Sequence, residues 1–133
     1  MLDWNDLSTW NVLIVDDEPD NIEVLVEPLE FFGMTVQTAA NGLEAMQVLA
    51  DFTANLIITD LSMPGMDGWE LRSRVKGDPK FAGVPVVALS AHAMAGDRDR
   101  ALEVGFDGYI TKPVNLPTFV QDIKKAVAES RKI

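Results

Sequence analysis

The strongest constraint on this chain is an alternation between two kinds of apolar segment. Short runs rich in Val, Ile and Thr fall at Val12–Val15, Thr35–Thr38, Leu56–Thr59, Val84–Leu89 and Tyr109–Thr111. Several show no in/out alternation, as expected of strands covered on both faces in a parallel sheet. Between them the apolar period lengthens to that of a helix. Ile22, Leu25, Val26, Leu29 and Phe32 form one stripe, opposite acidic Asp20, Glu23, Glu27 and Glu30. Leu116, Phe119, Val120, Ile123 and Val127 repeat the pattern near the C-terminus, and further helices fit 41–51, 67–77 and 96–104. Five βα units with short connections predict an α/β fold, an open five-stranded parallel sheet with helices on both faces.

Local punctuation agrees with this division. Pro19 suits a first helical turn, Asn41-Gly42 reads as a turn, and Gly105-Phe106 reads as a glycine helix stop with its apolar clasp. Pro28 is discordant, because inside the first helix it removes a backbone donor and predicts a kink in the last turn. Residues 1–10 stand outside the pattern as an N-terminal extension. Leu2, Trp4, Leu7 and Trp10 make them too apolar for a free tail, so a short helical turn against the domain is expected in preference to a partner-binding segment.

Charge and composition exclude several functions. The 133 residues carry a net charge of −10, which argues against nucleic acid as a partner. None of the 11 Lys and Arg residues precedes Arg72, whereas 14 of the 21 acids do. An acidic first half suggests cation binding or a basic partner, beside the plain reading of a solvated surface. Absence of cysteine excludes disulfides and thiolate chemistry. The acidic start and the lack of a long apolar run give no sign of a signal peptide or membrane span, and a cytoplasmic location is expected.

Ligands of open α/β sheets bind beyond the carboxyl ends of the strands. There the chain places Asp16-Asp17-Glu18 after strand 1, Asp60 at strand 3, Ser90-Ala91 at strand 4 and Lys112-Pro113 after strand 5. Any one of these residues serves equally as a helix cap or a loop charge. Together they make a poor accident, since carboxylates brought this close repel unless a cation joins them. With no Cys and a single His, His92, hard oxygen ligands point to Mg²⁺. A carboxylate beside Mg²⁺ and a lysine is a plausible phosphoryl acceptor.

The segments Val12-Leu-Ile-Val-Asp16-Asp17-Glu18, Asp60-Leu-Ser-Met-Pro-Gly-Met-Asp-Gly68, Ala88-Leu-Ser-Ala91 and Tyr109-Ile-Thr-Lys-Pro113 resemble the receiver domain of two-component and phosphorelay response regulators. The resemblance covers nearly the whole chain, with 11–133 as the receiver domain and the build of a single-domain regulator. It implies the flavodoxin-like (βα)5 doubly wound fold with strand order 2-1-3-4-5. It implies that Asp60 accepts the phosphoryl group, that Asp17 and Asp60 ligate Mg²⁺ directly, and that Asp16 acts through water and Ser62 through its carbonyl. Ser90 and Lys112 would contact the phosphoryl group, Tyr109 would change rotamer with Ser90, and the Lys112–Pro113 peptide would be cis. Taken alone, Tyr109 reads as a core residue, and His92 reads equally as a solvated loop histidine or a group tuning water access.

The implied function is a phosphorylation-dependent switch and not an enzyme acting on other substrates. A histidine kinase or histidine phosphotransfer protein would donate the phosphoryl group, and autodephosphorylation would remove it. The donor would dock on Val24, Pro28 and Phe31. Output would run through protein contacts at the helix 4–strand 5–helix 5 face, with a downstream protein, onward phosphotransfer or a phosphorylation-dependent homodimer as its forms. Two other classes use similar parts. A haloacid-dehalogenase-like phosphatase needs its nucleophile in an Asp-x-Asp at strand 1, and a flavodoxin-like FMN carrier needs a Ser/Thr/Gly-rich loop there; neither pattern is present.

Overall fold

A computed structural model describes residues 6–63, 65–90, 97–112 and 114–130, with the side chains of Asp97, Glu129 and Ser130 excepted. The readings made for Leu2, Trp4, Ala91, His92 and the Lys112–Pro113 peptide lie outside those residues. Five parallel strands, β1 (Asn11–Val15), β2 (Thr35–Ala39), β3 (Leu56–Asp60), β4 (Val86–Ser90) and β5 (Gly108–Thr111), form one sheet in the order β2-β1-β3-β4-β5. The helices are α1 (Pro19–Phe31), α2 (Gly42–Asp51), α3 (Gly68–Gly77), α4 (Asp97–Val104) and α5 (Phe119–Ser130). This is the predicted flavodoxin-like doubly wound architecture.

The continuous apolar runs are explained by burial on both faces. In β1, Val12 and Ile14 point toward α1 and α5, while Leu13 and Val15 join the opposite cluster with α2, α3 and α4. Leu56 and Ile58 of β3 and Val87 and Leu89 of β4 follow Val12 and Ile14; Ile57, Val86 and Ala88 face the other way. Leu7–Thr9 forms a 3₁₀ turn capped by the Asp6 carboxylate, with Leu7 packed on the α1/α5 core and Trp10 fully buried in it. The expected helical turn against the domain is therefore present in residues 6–10.

Several boundaries differ from the sequence reading for local reasons. The strand expected from Val84 begins at Val86, because the Val84 amide closes a turn onto Phe81 and Pro85 has no N–H for the ladder. Asn41 is a helix cap, not a free turn: its side-chain oxygen accepts from the Glu44 amide at 2.8 Å. Asp67 does the same for Glu70 at the start of α3. The C-terminal helical stretch divides, with a 3₁₀ turn over Leu116–Thr118 ahead of α5. Helix α1 begins at Pro19 as expected and continues through Pro28 to Phe31. Gly105 takes φ of 118°, and the Phe106 amide reaches back to Ala101 O at 3.0 Å, the expected helix stop.

Candidate phosphoacceptor site

The parallel register brings the acidic strand ends together. Val15 pairs with Thr59, so Asp16 and Asp60 occupy equivalent positions one step beyond that pair. Each uses one carboxylate oxygen to hold the turn that follows it. Asp16 Oδ1 accepts from the Glu18 amide and Asp60 Oδ1 from the Ser62 amide, both at 3.0 Å. The second oxygens converge on one cation: Lys112 Nζ lies 2.9 Å from Asp16 Oδ2 and 2.9 Å from Asp60 Oδ2. Lys112 is placed by its own amide, which donates to Ser90 O at 2.8 Å across the β4–β5 edge.

Burial sharpens the electrostatics. Asp16 is fully buried and Asp60 nearly so, whereas Asp17 is exposed and has no hydrogen-bond partner among the described residues. Oxygens of Asp16, Asp17 and Asp60 all lie within 4.8 Å of one another. Three carboxylates against one ammonium leave negative charge uncompensated. Burial pushes the Lys112 ammonium down, but its hydrogen bonds and charge interactions with Asp60 and Asp16 outweigh this and hold its pKa above the ordinary 10.5. Hard oxygen donors, excess negative charge and one exposed, unengaged carboxylate fit a divalent cation such as Mg²⁺ that keeps part of its water shell.

Other predicted residues lie around this centre. Ser90 is buried at the end of β4, paired with Thr111. Ser62 is exposed in the loop after β3. Tyr109 is half-buried opposite Ala88 and borders grooves shared with Arg98 of α4 and Ala126 of α5. Val24 borders a cavity of about 520 Å³ with Asn21, Leu89, Lys112, Val114 and Leu116. Phe31, 83% exposed, borders a separate groove with Val26 and Glu27. Pro28, between Val24 and Phe31 in the chain, is half-buried.

Supporting residues escaped the sequence reading. The buried Thr59 hydroxyl donates to Asp60 O at 2.9 Å. Gly68 lets α3 start against β3, since a Cβ there would collide with the Asp60 carbonyl oxygen and lie 2.9 Å from Leu61 Cα. The Asp67-Gly68 pair was a usable signal for this approach, being a cap followed by the smallest residue. Nothing in the spacing announced Thr59.

Residues 12–124 match the family model of the response regulator receiver domain. The chain belongs to that family. Receiver relatives include the polar-differentiation response regulator DivK of Brucella anthropi, 32% identical over 120 residues and covering 90% of this chain and 98% of that protein. A 14.6 kDa protein in the sodA1 3′ region of Leptolyngbya boryana is 42% identical over 109 residues, covering 82% and 83% of the two chains. Among solved structures, the chemotaxis response regulator CheY4 of Vibrio cholerae superposes with a TM-score of 0.81 at 27% identity, covering 88% of this chain and 98% of that one. A putative response regulator from Chloroflexus aurantiacus gives 0.82 at 31% identity, covering 90% and 98%. The receiver assignment makes this a regulatory domain of two-component signalling and sets aside the phosphatase and flavin-carrier alternatives. No helix among the described residues is long and apolar enough to cross a membrane.

Proposed function

We propose that the receiver is a phosphorylation-dependent switch whose acceptor is Asp60. The observation that carries this is the Lys112 ammonium held 2.9 Å from oxygens of both Asp16 and Asp60 at the carboxyl edge of the sheet. The donor is a phosphohistidine on a histidine kinase or histidine phosphotransfer protein. An Asp60 oxygen forms the new P–O bond as the P–N bond breaks, and the released imidazole takes up a proton. Lys112 exchanges carboxylate oxygens for phosphoryl oxygens, and Ser90 donates a hydrogen bond to one of them. Asp17, Asp60 and the Ser62 carbonyl would hold Mg²⁺ directly and Asp16 through water, and the ion would supply positive charge to the transferring group. Water later attacks phosphorus and frees Asp60.

Donor docking falls to Val24, Pro28 and Phe31 on α1, of which Val24 borders the cavity containing Lys112. Output runs through Ser90 and Tyr109 to the α4–β5–α5 face. A phosphoryl group adds charge and acceptor oxygens beside Ser90 and Lys112, and the Lys112–Ser90 backbone bond ties the ends of β4 and β5. A preference of about 1–3 kcal/mol between two arrangements of that face is enough to change a protein contact, whether with a downstream protein or a second copy. The expected setting is the cytoplasm.

Intact mass after incubation with acetyl phosphate tests the reading. One added phosphoryl group is expected, requiring Mg²⁺ and absent in Asp60→Asn or with EDTA. Labelling that persists in Asp60→Asn would refute the assignment of the acceptor.

A further inference from the structure

Helix α3 grips the chain around α4 with one stripe of side chains. Trp69, Arg72 and Lys76 fall at i, i+3 and i+7, so they share a face of α3. The Lys76 ammonium pairs with Asp107 at 3.1 Å, and the same Asp107 oxygen accepts from the Val86 amide at 2.8 Å. The Arg72 guanidinium fills the space that a Cβ on Gly105 would need. The Trp69 ring packs edge-on against buried Phe106, with centroids 5.4 Å apart. Its face carries the Arg100 guanidinium, 4.9 Å from the ring centroid. These contacts hold α4 unequally. Its carboxyl end runs into Gly105, Phe106 and Asp107, which Arg72, Trp69 and Lys76 fix in turn. From Arg98 to Val104 only Ala101 is buried. No side chain of that stretch makes a hydrogen bond or ion pair among the described residues, so the Arg100–Trp69 stack is its one polar tie to the domain. Trp69 also borders the acceptor loop at Leu61, Ser62 and Met63, and its neighbour Gly68 lies against the Asp60 carbonyl.

We propose that Trp69 and Arg100 are positioning residues of the switch, their stack holding α4 in its unphosphorylated seat. This rests on the reading of Asp60 as the phosphoacceptor, and adds a tie that does not pass through Tyr109. A Ser90 hydroxyl drawn to a phosphoryl group pulls on the chain that leads into α4 at Asp97. The stack opposes that pull, and Gly105, at φ of 118°, is the pivot. Losing the stack therefore favours the phosphorylated arrangement. A cation–π contact at an exposed site shifts such an equilibrium about two- to fivefold. Labelling of Asp60 passes through the arrangement with Ser90 turned to the phosphoryl group, so its rate follows that population.

The rate of acetyl phosphate labelling in Mg²⁺, followed by intact mass on the full chain, tests this. Arg100→Met removes the cation and should be labelled about two- to fivefold faster than wild type. Arg100→Lys restores a cation and should return most of the way to the wild-type rate. Arg74→Met removes the same charge from an exposed ion pair on α3 and should leave the rate unchanged. Trp69→Leu should also speed labelling, and W69L/R100M should be no faster than Trp69→Leu, because both substitutions remove one contact. Without phosphate, amide hydrogen exchange over α4 should quicken in Arg100→Met and not in Arg74→Met. Arg100 is exposed, so its two variants carry the test even where Trp69→Leu fails to fold. A purely structural stack would lower the urea midpoint and leave the labelling rate alone. That outcome overturns the proposal, as do Arg100→Lys matching Arg100→Met, rates that multiply in the double variant, or unchanged exchange over α4. A wild type that is not labelled at Asp60 removes the phosphoacceptor reading and this one with it. A labelled wild type with an unresponsive Arg100→Met removes this proposal alone.

Discussion

Replacing Lys112 by Met keeps the aliphatic stem and removes the ammonium that Asp16 and Asp60 share. Oxygens of those two carboxylates come within 4.8 Å, and both residues are buried. At an effective dielectric of about 20, two unit charges at that distance repel by roughly 3–4 kcal/mol, and two attractions are lost as well. Lys112 is 17% exposed, so water entering the gap recovers part of this. The net cost is expected near the low end of the 3–5 kcal/mol seen on breaking buried pairs, about 3 kcal/mol. For a domain of this size that corresponds to a fall in Tm of roughly 10 °C. Urea denaturation followed by far-UV circular dichroism in EDTA at neutral pH measures it. Lys112→Arg, which keeps a cation, should lose much less. The double variant D60N/K112M should recover at least half of the loss, because one of the facing charges is gone. Millimolar Mg²⁺ should also narrow the gap, since the site without its ammonium is more negative and binds a cation more tightly than the wild-type site does. A loss below about 0.5 kcal/mol in EDTA, or an equal loss in Lys112→Arg, would refute the view of Lys112 as the counter-charge of a buried pair.

Three further outcomes follow from single contacts. Gly68→Ala should cost about 1–3 kcal/mol, because its Cβ meets the Asp60 and Leu61 backbone and not a flexible side-chain end. Denaturation should show this loss, and the acetyl phosphate labelling rate of Asp60 should fall with it; full stability would contradict the close approach. Pro28→Ala should raise stability by about 1–3 kcal/mol, since α1 continues beyond a residue that has no amide to donate; an unchanged urea midpoint would show that the proline costs nothing there. The pKa of Lys112 is raised on folding, so its contribution is complete below the unfolded value of 10.5 and is lost as pH climbs through the higher folded value. The stability gap between wild type and Lys112→Met should therefore stay flat from neutrality to about pH 10 and shrink only above it; a gap that closes near pH 8 would assign the effect to another group.

The sheet was legible because burial on both faces leaves a direct mark, unbroken runs such as Val12–Val15 and Leu56–Thr59. The site was legible because strand ends in a parallel sheet meet at one edge, so four separate motifs can be placed together from their order alone. The misses share a different cause: they depend on which backbone group a side chain or amide finds. Asn41 read as a turn because Asn serves turns and caps alike, and only the Glu44 amide at 2.8 Å decides between them. Val84-Pro85 looked like strand because its residues are apolar, yet the Pro85 carbonyl accepts from Ile57 while the proline itself has nothing to donate.

The three carboxylates at the sheet edge are not equivalent, and their difference has a chemical use. Asp16 and Asp60 are each committed twice, one oxygen to the amide two residues on and one to Lys112, so their rotamers are fixed before any ligand arrives. Asp17 is exposed and unengaged. A cation entering there meets two positioned groups and one that can adjust, which lowers the reorganisation needed to bind and leaves open coordination positions for water or phosphoryl oxygen. The same arrangement limits how far a new charge at Asp60 can go unnoticed. It must alter the Asp60–Lys112 contact, and Lys112 is anchored through its amide to the Ser90 carbonyl. Tyr109 lies three residues before Lys112, in β5, paired with Ala88 of β4. One hydrogen bond and three residues of backbone therefore separate Asp60 from Tyr109, and double-mutant coupling between Asp60, Lys112 and Tyr109 is the physical quantity that measures whether they act together.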